Sequence, residues 1–404
     1  MSQAGASPDA ELAESGRAWP EIEVSFVIPC LDEARTLAGC IEAAQRCIRE
    51  NQLSAEIIVA DNGSRDGSPE IARRCGARVV PISDRGYGRA LQAGFEAARG
   101  RFLIMGDADQ SYDFAETMPF VERLRDGYDV VMGSRFKGRI LPGAMPWSHR
   151  WIGNPLLSWL GRRLFQVPVS DFHCGLRALT KNAFRAMRLR TSGMEFASEL
   201  VVKAAVLGMR ITEVPITLHP DARDRPPHLQ TWRDGWRHLR FLMTLSPRWT
   251  LFMPGLVLAG IGAALLIALS LGPIRIGAAT LYVHSMVGAS LLVIVGYQTM
   301  TTAIAARIFA LEEEIGPPAP SLRRIFGLFT LERGLLAGGL ITAAGGAVVA
   351  KIALEWAAEG FGELDFHRTL RPMIVGATLI AFGIQTVLMS FVYSMLGIQR
   401  RRDA

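Results

Sequence analysis

Four apolar stretches in the second half of the chain limit its possible folds more than any other feature. They lie at about residues 250–271, 281–304, 334–354 and 373–396. Each has about 20 residues or more, which as a helix is enough to cross about 30 Å of hydrocarbon. One such stretch could be a buried core helix. Four in succession, joined by charged connectors, predict a module of four transmembrane helices within residues 249–398.

Arginine is concentrated on alternate connectors of this module. The second connector and the two flanks carry Arg233, Arg237, Arg240, Arg248, Arg307, Arg323, Arg324, Arg333, Arg400, Arg401 and Arg402. The first connector has only Arg275, and the third balances two arginines against four acidic residues. Short loops rich in Lys and Arg stay in the cytoplasm. We therefore expect a multi-pass cell-membrane protein with both termini cytoplasmic, and the polar first twenty residues contain no apolar signal core.

The part before about residue 245 mixes charged and apolar residues as a globular domain does. Short apolar runs alternate with segments of helical spacing; the runs are 24–29, 56–61, 78–81, 102–105 and 130–133, and the helical segments are 32–50, 68–75 and 88–99. Strands that alternate with helices predict an α/β domain with a parallel sheet. We place this domain at residues 22–227, after a disordered tail at 1–21.

Two carboxylates, Asp107 and Asp109, follow the buried-type run Phe102-Leu-Ile-Met105. Residues two apart on an extended segment point the same way, about 6–7 Å apart. The pair can therefore flank one hard divalent cation that also holds a substrate phosphate. The alternative is a strand-end turn in which Asp is simply a favoured residue.

Three further polar residues lie at or just past predicted strand ends, namely Glu33, Asp61 and Arg135. Taken singly, Glu33 could cap a helix, Asp61 could be a turn acid and Arg135 could form a surface salt bridge. Ligands of parallel sheets bind at the carboxyl ends of the strands. The convergence of these residues on one edge favours a binding site, where the guanidinium of Arg135 could fork onto a phosphate.

The order and spacing of these motifs resemble the family 2 glycosyltransferases, which have the GT-A nucleotide-sugar fold. The motifs are Val27-Ile28-Pro29, Glu33, Asp61-Asn62-Gly63-Ser64, Asp66-Gly67, Gly86-Tyr87-Gly88, Asp107-Ala108-Asp109 and Gly133-Ser134-Arg135. Later motifs are similar to the dolichol-phosphate mannose synthase branch, which includes polyprenyl-phosphate glucosyltransferases. They are Asp171-Phe-His-Cys-Gly175-Leu-Arg177, Glu195-Phe-Ala-Ser-Glu199 and Glu213-Val-Pro215.

The resemblance implies an inverting transferase that moves a hexose from a GDP-mannose or UDP-glucose type of donor to dolichyl or undecaprenyl phosphate. It implies that the nucleotide sugar is bound by Pro29, Glu33, Asp61, Gly88, Asp107 and Ala108. It also implies Mg²⁺ or Mn²⁺ held by Asp107 and Asp109, with Asp109 the more certain ligand. The branch often has Gln two residues after the second Asp. Here that position is Ser111, so Ser111, Gln110 or water could be the third ligand.

The resemblance gives four candidate catalytic residues, Asp109, Arg135, Asp171 and Arg177. The last two flank a glycine turn, and either pair with each other or border the sugar and the acceptor phosphate. Where the branch often carries Gly-x-Ser-Lys, this chain has Arg223, Arg225 and His228, any of which could hold the acceptor phosphate. A polyprenyl phosphate is already anionic, because phosphate monoesters have a second pKa of about 6. No general base is then needed, and cations are the expected catalytic groups.

Two aromatic and basic segments predict contact with a membrane surface. One is an amphipathic helix at 228–248, with an apolar stripe formed by Leu229, Trp232, Trp236, Leu239 and Met243. The other contains Trp147, Trp151, Leu156 and Trp159 beside Arg162 and Arg163. Trp next to Arg is typical of an interface between membrane and water. Anionic lipid thus suits the net charge of +6 better than nucleic acid, for which the chain has no aromatic-basic motif.

The sequence argues against two other functions of a membrane protein with this domain. A processive polysaccharide synthase would carry Gln-x-x-Arg-Trp, but here Leu245 stands at the Gln position before Arg248-Trp249. An inactive GT-A protein linked to lipid-sugar flipping is disfavoured by the intact acidic motifs. The five cysteines have no Cys-x2-Cys spacing and suit reduced cytosolic thiols. A homo-oligomer is compatible with all of these functions.

Overall fold

The computed structural model describes residues 22–223, 231–312, 330–363 and 365–396. The chain divides into two compact units, with the boundary after Leu242. The predicted tail at 1–21, Arg225 and His228 lie outside the described residues. The first unit is an α/β domain, and the second consists of long apolar helices and a short hairpin.

The first unit contains seven strands and eight α-helices among its described residues. The strands are β1 Val24–Cys30, β2 Ala55–Asp61, β3 Arg78–Pro81, β4 Phe102–Met105, β5 Val130–Ile140, β6 Arg177–Thr180 and β7 Ile211–Leu218. The helices are α1 Leu37–Glu50, α2 Ser68–Arg74, α3 Tyr87–Ala97, α4 Met118–Arg125, α5 Asn154–Phe165, α6 Lys181–Met187, α7 Phe196–Val206 and α8 Thr231–Thr244.

The seven strands form one sheet in the order β3-β2-β1-β4-β6-β5-β7. The predicted parallel α/β sheet is confirmed for β1 to β5, which all run in the same direction; the unpredicted strand β6 lies between β4 and β5 and runs antiparallel to both. The other pairs are parallel. The sequence pattern predicted neither β6 nor β7. The strand order reverses between β1 and β4, and the carboxyl edge at such a switch point is where α/β sheets bind ligands.

The strands form because their apolar residues are covered on both faces of the sheet. All four residues of β4 are buried, and β1 is buried along its length except at Pro29. The helix predicted from residue 32 begins instead at Leu37. Asp32 has a positive φ of 57°, which breaks the helical path before the first turn. This bend places Glu33 beside the carboxyl edge of the sheet.

The strand β5 is longer than its apolar run, since it continues to Ile140 beside β7. A π-helical turn at His149–Gly153 and α5 follow it. Five large apolar side chains of this segment are exposed; they are Trp147, Trp151, Ile152, Leu156 and Trp159. Trp236 on α8 is also 60% exposed. Exposed aromatics of this number are unusual on a soluble surface and typical of a membrane-facing one.

Within its described residues, the second unit has four helices that are long and apolar enough to cross a membrane. They are α9 Met253–Leu271, α10 Val283–Glu312, α11 Leu331–Ala358 and α12 Phe366–Leu396, and a hairpin of β8 Ile274–Ile276 and β9 Ala279–Leu281 joins the first two. Glycines allow close packing of α11 on α12, since a side chain at Gly338 or Gly345 would collide with the α12 backbone. Hydrogen bonds join α10 to α12, for example Ser290 to Thr378 at 2.6 Å.

Candidate functional site

Three carboxylates and one arginine meet at the switch point of the sheet. The Nε of Arg223 lies 2.9 Å from one oxygen of Glu33, and its Nη1 lies 3.3 Å from Asp109 Oδ2. Asp221 also contacts this guanidinium, at 3.3 Å. The arginine is therefore held by carboxylates that follow three different strands, β1, β4 and β7. Burial acts to lower the pKa of Arg223, but Asp109 and Glu33 outweigh it and the pKa is raised.

The segment after β7 carries Arg223 to this place. It runs beside the loop after β4, where His219 N donates to Ser111 O at 3.0 Å and Ala222 N to Asp109 O at 3.3 Å. In the structure the Arg223 guanidinium contacts two carboxylates that are predicted to bind the donor and its metal ion. Its predicted role at the acceptor phosphate stays a prediction.

Asp107 has a different partner from Asp109. The hydroxyl of Tyr87 donates a hydrogen bond of 3.0 Å to Asp107 Oδ1. Burial and the neighbouring Asp109 carboxylate raise the pKa of Asp107 to about 6. Two carboxylates that repel each other in this way favour binding of a cation between them.

Of the two side chains proposed as a third metal ligand, only one faces the site. Ser111 donates from its hydroxyl to Asp109 Oδ1 at 2.5 Å, and its backbone N donates to the same atom at 3.0 Å. Gln110 turns away, since its Nε2 donates to Thr36 O at 3.0 Å. Ser111 thus orients Asp109, and Gln110 anchors the loop to the start of α1.

The residues predicted to hold the nucleotide lie along the same edge. Asp61 ends β2 opposite Cys30 in register, and its carboxylate accepts from the backbone N of Gly63 and Ser64 at 3.3 Å. Pro29 is partly exposed, whereas Ala108 is 2% exposed and packs into the core. Asp61 is buried too, at 6% exposure.

The glycines of the Gly86-Tyr87-Gly88 turn are required by packing, independently of nucleotide binding. A side chain at Gly86 or Gly88 would collide with the carbonyl of Ser192 or Thr191. Gly88 N donates to Ser192 O at 2.9 Å. Gly86 also has a φ of 152°, which L side chains rarely adopt. The glycines thus allow α3 to pack against the segment before α7.

Arg135 and Asp171 form a buried ion pair. The carboxylate of Asp171 accepts from Arg135 Nε and Nη2, both at 2.7 Å, and from its backbone N at 3.0 Å. Glu213 in β7 supports the pair by accepting from the backbone N of Asp171 at 3.0 Å. Burial acts to lower the pKa of Arg135, but Tyr112 and Asp171 outweigh it and the pKa is raised. The predicted alternative of an Asp171–Arg177 pair is wrong.

Arg177 lies within the core and not at a ligand surface. It is 0% exposed and begins β6 beside Met105 and Met132 in register. Its guanidinium donates to the carbonyls of Cys174, Ala197 and Phe172. Burial lowers the pKa of Arg177. These bonds indicate that Arg177 orders the loop before β6, although we predicted a catalytic role.

With this geometry in view, comparison with known proteins decides the family. The model of glycosyl transferase family 2 matches residues 25–188, and that of the family 2 C-terminal transmembrane region matches 304–397. The low-salt glycan biosynthesis hexosyltransferase Agl6 of Haloferax volcanii is 35% identical over 93% of this chain and 89% of its own length. The chain belongs to glycosyltransferase family 2. It is a membrane glycosyltransferase with a GT-A domain, as the sequence motifs predicted.

Other family members are similar over shorter regions. A dolichyl-phosphate hexose transferase of Haloferax volcanii is 35% identical over 40% of this chain and 69% of its own length. An undecaprenyl-phosphate 4-deoxy-4-formamido-L-arabinose transferase of Pseudomonas paraeruginosa is 36% identical over 41% of this chain and 49% of its own. Glucosyl-3-phosphoglycerate synthase of Mycobacterium tuberculosis, solved with Mn²⁺, UDP and phosphoglyceric acid, is 23% identical with a TM-score of 0.44, covering 58% of this chain and 80% of that one.

The donor atoms of this family 2 chain fit a divalent cation bound together with a substrate. Among the described residues, no group of three His, Cys, Asp or Glu side chains could hold a metal ion alone. Asp107 and Asp109 supply two carboxylates, and a guanidinium already lies against the second of them. Mg²⁺ characteristically binds through one or two carboxylates plus the phosphates of its substrate.

No role was predicted from the sequence for three residues of the site. Tyr87 and Asn62 belong to the predicted motifs, and Tyr112 lies outside them. Burial raises the pKa of the Tyr112 hydroxyl, and the charge of Arg135 opposes this shift. Asn62 accepts from Gly86 N at 2.7 Å through Oδ1. Only its place directly after the strand-end Asp61 could have indicated a role for Asn62.

Proposed function

We propose that this glycosyltransferase moves a hexose from a nucleoside diphosphate sugar to a polyprenyl phosphate, with help from a divalent cation. One observation carries the proposal: Asp107, Asp109 and Glu33 converge at the switch point of the sheet, and two of them bind one guanidinium. Such a site accepts a cation and the sugar-bearing diphosphate that the cation neutralises. The names of the dolichyl- and undecaprenyl-phosphate relatives support the lipid acceptor.

On the donor side, Glu33 and Asp61 would accept hydrogen bonds from ribose hydroxyls and base N–H groups. Asp107 and Asp109 would hold Mg²⁺ or Mn²⁺. The bound ion would neutralise charge on the departing diphosphate. Binding of the donor requires the Arg223 guanidinium to leave Glu33, and it could then contact a phosphate oxygen.

On the acceptor side, an oxygen of the lipid phosphate attacks the anomeric carbon of the sugar. The bond from that carbon to the diphosphate breaks, and its electron pair leaves with the diphosphate. No proton has to be removed from the anionic acceptor. The Nε and Nη2 groups of Arg135 donate hydrogen bonds to the Asp171 carboxylate. Its Nη1 is the part of the guanidinium that could contact a phosphate.

The exposed aromatic segment is where we expect the lipid acceptor to approach. Trp147 is 68% exposed and Trp151 is 63% exposed. His149 lies between them in the sequence. Burial lowers the pKa of His149, and the charge of the nearby Arg135 lowers it further. The segment thus connects an apolar surface with the Arg135 side of the site. We further propose that the Arg-rich connectors, and with them both termini, are cytoplasmic.

The test uses the purified full chain in nanodiscs, incubated with polyprenyl phosphate and a panel of labelled nucleotide sugars, with and without Mn²⁺. We expect a labelled, lipid-linked sugar from one donor class. Asp109→Asn should lower turnover by about a hundredfold or more, because several kcal/mol of charge stabilisation would be lost. Asp126→Asn, an exposed surface carboxylate paired with Arg123, is the matched control. Failure to form lipid-linked sugar from any donor would contradict the proposal.

A further inference from the structure

The two acidic residues of the Asp107-Ala108-Asp109 motif have different kinds of hydrogen-bonding partner. Asp109 contacts a charged guanidinium, whereas Asp107 accepts a bond from the neutral hydroxyl of Tyr87 at 3.0 Å. A guanidinium can exchange with another cation. A hydroxyl that donates to one oxygen of a carboxylate leaves the negative charge in place and fixes how the group is rotated.

Hydrogen bonds fix the backbone on both sides of Tyr87. Tyr87 is the first residue of α3, and Asn62 accepts from the preceding Gly86 N at 2.7 Å. Asn62 Nδ2 also donates to Asp84 O at 2.9 Å. On the other side, Ser192 O accepts from Gly88 N at 2.9 Å. Tyr87 thus reaches Asp107 from a turn that is tied both to the end of β2 and to the segment before α7.

The second oxygen of Asp107 faces a glycine. A side chain at Gly175 would collide with Asp107 Oδ2 and with the ring of Tyr112. Tyr112 holds this glycine in place, because its hydroxyl accepts from Gly175 N at 3.0 Å. The Tyr87 hydroxyl therefore hydrogen-bonds to Oδ1 of Asp107. Because residue 175 has no side chain, no atom there displaces Oδ2.

We propose that Tyr87 is a positioning residue for the cation site, because it fixes Asp107 so that Oδ2 serves as the metal-facing oxygen. This inference rests on the proposed metal-dependent function. The carboxylate would need no reorientation when the ion arrives. Loss of an orienting partner of a metal ligand typically weakens metal binding by about ten- to a hundredfold.

The test measures Mn²⁺ binding to the full chain in detergent, with a nucleoside diphosphate present at a fixed concentration, by the electron paramagnetic resonance signal of free Mn²⁺. Tyr87→Phe should weaken Mn²⁺ binding by about tenfold. Transferase turnover should largely recover at saturating Mn²⁺, because the ligand itself is retained. Tyr128→Phe is the matched control, since the Tyr128 ring stacks 4.8 Å from the Arg210 guanidinium at the start of β5.

A double-mutant comparison separates positioning from general packing. In an Asp107→Asn background, Tyr87→Phe should change Mn²⁺ binding no further. If Tyr87→Phe is poorly folded by thermal unfolding without metal, Gly175→Ala provides the second variant, since it disturbs the other oxygen of Asp107. It should likewise weaken Mn²⁺ binding.

Each outcome has a distinct meaning. Unchanged Mn²⁺ affinity in a folded Tyr87→Phe protein would overturn the positioning role while leaving the proposed function intact. Wild-type Mn²⁺ affinity in Asp107→Asn would overturn the cation site itself. Equal weakening by Tyr87→Phe with and without the Asp107 carboxylate would show that the hydroxyl acts elsewhere.

Discussion

At the scale of single residues, Arg223 is the group whose place most changes the chemistry of the site. It bridges Glu33 and Asp109, which lie far from it along the chain, and it satisfies both carboxylates without any ligand. A cation at about 4 Å from a second cation is repelled by about 4 kcal/mol at an effective dielectric constant of 20. Arg223 and a divalent ion must therefore compete for Asp109.

Replacing Arg223 with Gln should tighten Mn²⁺ binding by about tenfold or more, because even the part of this repulsion that remains after screening by water is about 1 kcal/mol for each charge of the divalent ion. The effect should shrink as salt is raised. Turnover should fall at the same time if the guanidinium moves onto the diphosphate. Titration of Mn²⁺ at two ionic strengths checks both points, with Arg73→Gln as a control on an exposed ion pair. Weaker Mn²⁺ binding in Arg223→Gln would contradict the competition.

Asp171 is a second residue with a measurable role. Its carboxylate neutralises Arg135, which is 8% exposed. Asp171→Asn should cost about 3–5 kcal/mol because a buried guanidinium loses its counter-charge. In a domain of this size that lowers the melting temperature by roughly 10 °C. Thermal unfolding of the full chain measures it, and the exposed Asp126→Asn should leave the melting temperature unchanged.

At the scale of elements, α8 is attached to the catalytic domain through a histidine pair. The rings of His173 and His238 lie 4.6 Å apart, and Ser198 on α7 lies 2.8 Å from His238 Nδ1. Burial, aided by the charges of His238, Arg177 and Arg135, holds the pKa of His173 well below its usual value. The attachment of α8 therefore favours a neutral His173.

This pair predicts a pH-dependent stability. An unfolded histidine titrates near pH 6.5, above the folded pKa, so unfolding takes up a proton as the pH falls below about 6.5. The stability present at pH 7 should therefore decrease between about pH 6.5 and the lower folded pKa. His173→Gln should flatten this part of a melting-temperature profile against pH. The exposed His284→Gln should not, and an unchanged slope in His173→Gln would contradict the assignment.

The packing of α11 on α12 gives a prediction with an internal control. A side chain at Gly345 would meet the carbonyl of Gly376, whereas nothing lies within 4 Å of a side chain built at Gly346. Gly345→Leu should force the two helices apart and lower the melting temperature, and Gly346→Leu should be tolerated. Equal effects of the two substitutions would show that these helices pack differently.

At the scale of the whole molecule, the proposed orientation follows from the connectors of the second unit. Gly277 lies in the β8–β9 hairpin of the first connector, and Thr330 caps α11 after the second. Cysteine placed at Gly277 should react in intact cells with a membrane-impermeant maleimide. Cysteine at Thr330 should react only after lysis. The reverse pattern would invert the topology and place the Arg-rich connectors outside.

Several features followed from the sequence because they are properties of contiguous residues. Apolar runs of about 20 residues predicted the four membrane helices. Their ends differ from the observed helices by a few residues up to about eight, since polar ends extend α10, α11 and α12 beyond the apolar runs. The run at 102–105 followed by Asp107 and Asp109 predicted both a strand and its acidic edge. The strands β6 and β7 were missed, because short runs interrupted by charged residues have no clear period.

The amino-acid sequence by itself therefore determined the family, the two-part organisation and the carboxylates at the strand ends. Only the tertiary structure decided the partners of those carboxylates. Glu33 and Arg223 are 190 positions apart, and Arg135 meets Asp171 across 36 positions. Such pairs depend on where β6 and β7 enter the sheet. Local spacing carries no information on those pairings, so the bonds that orient the site appear only once the chain has folded.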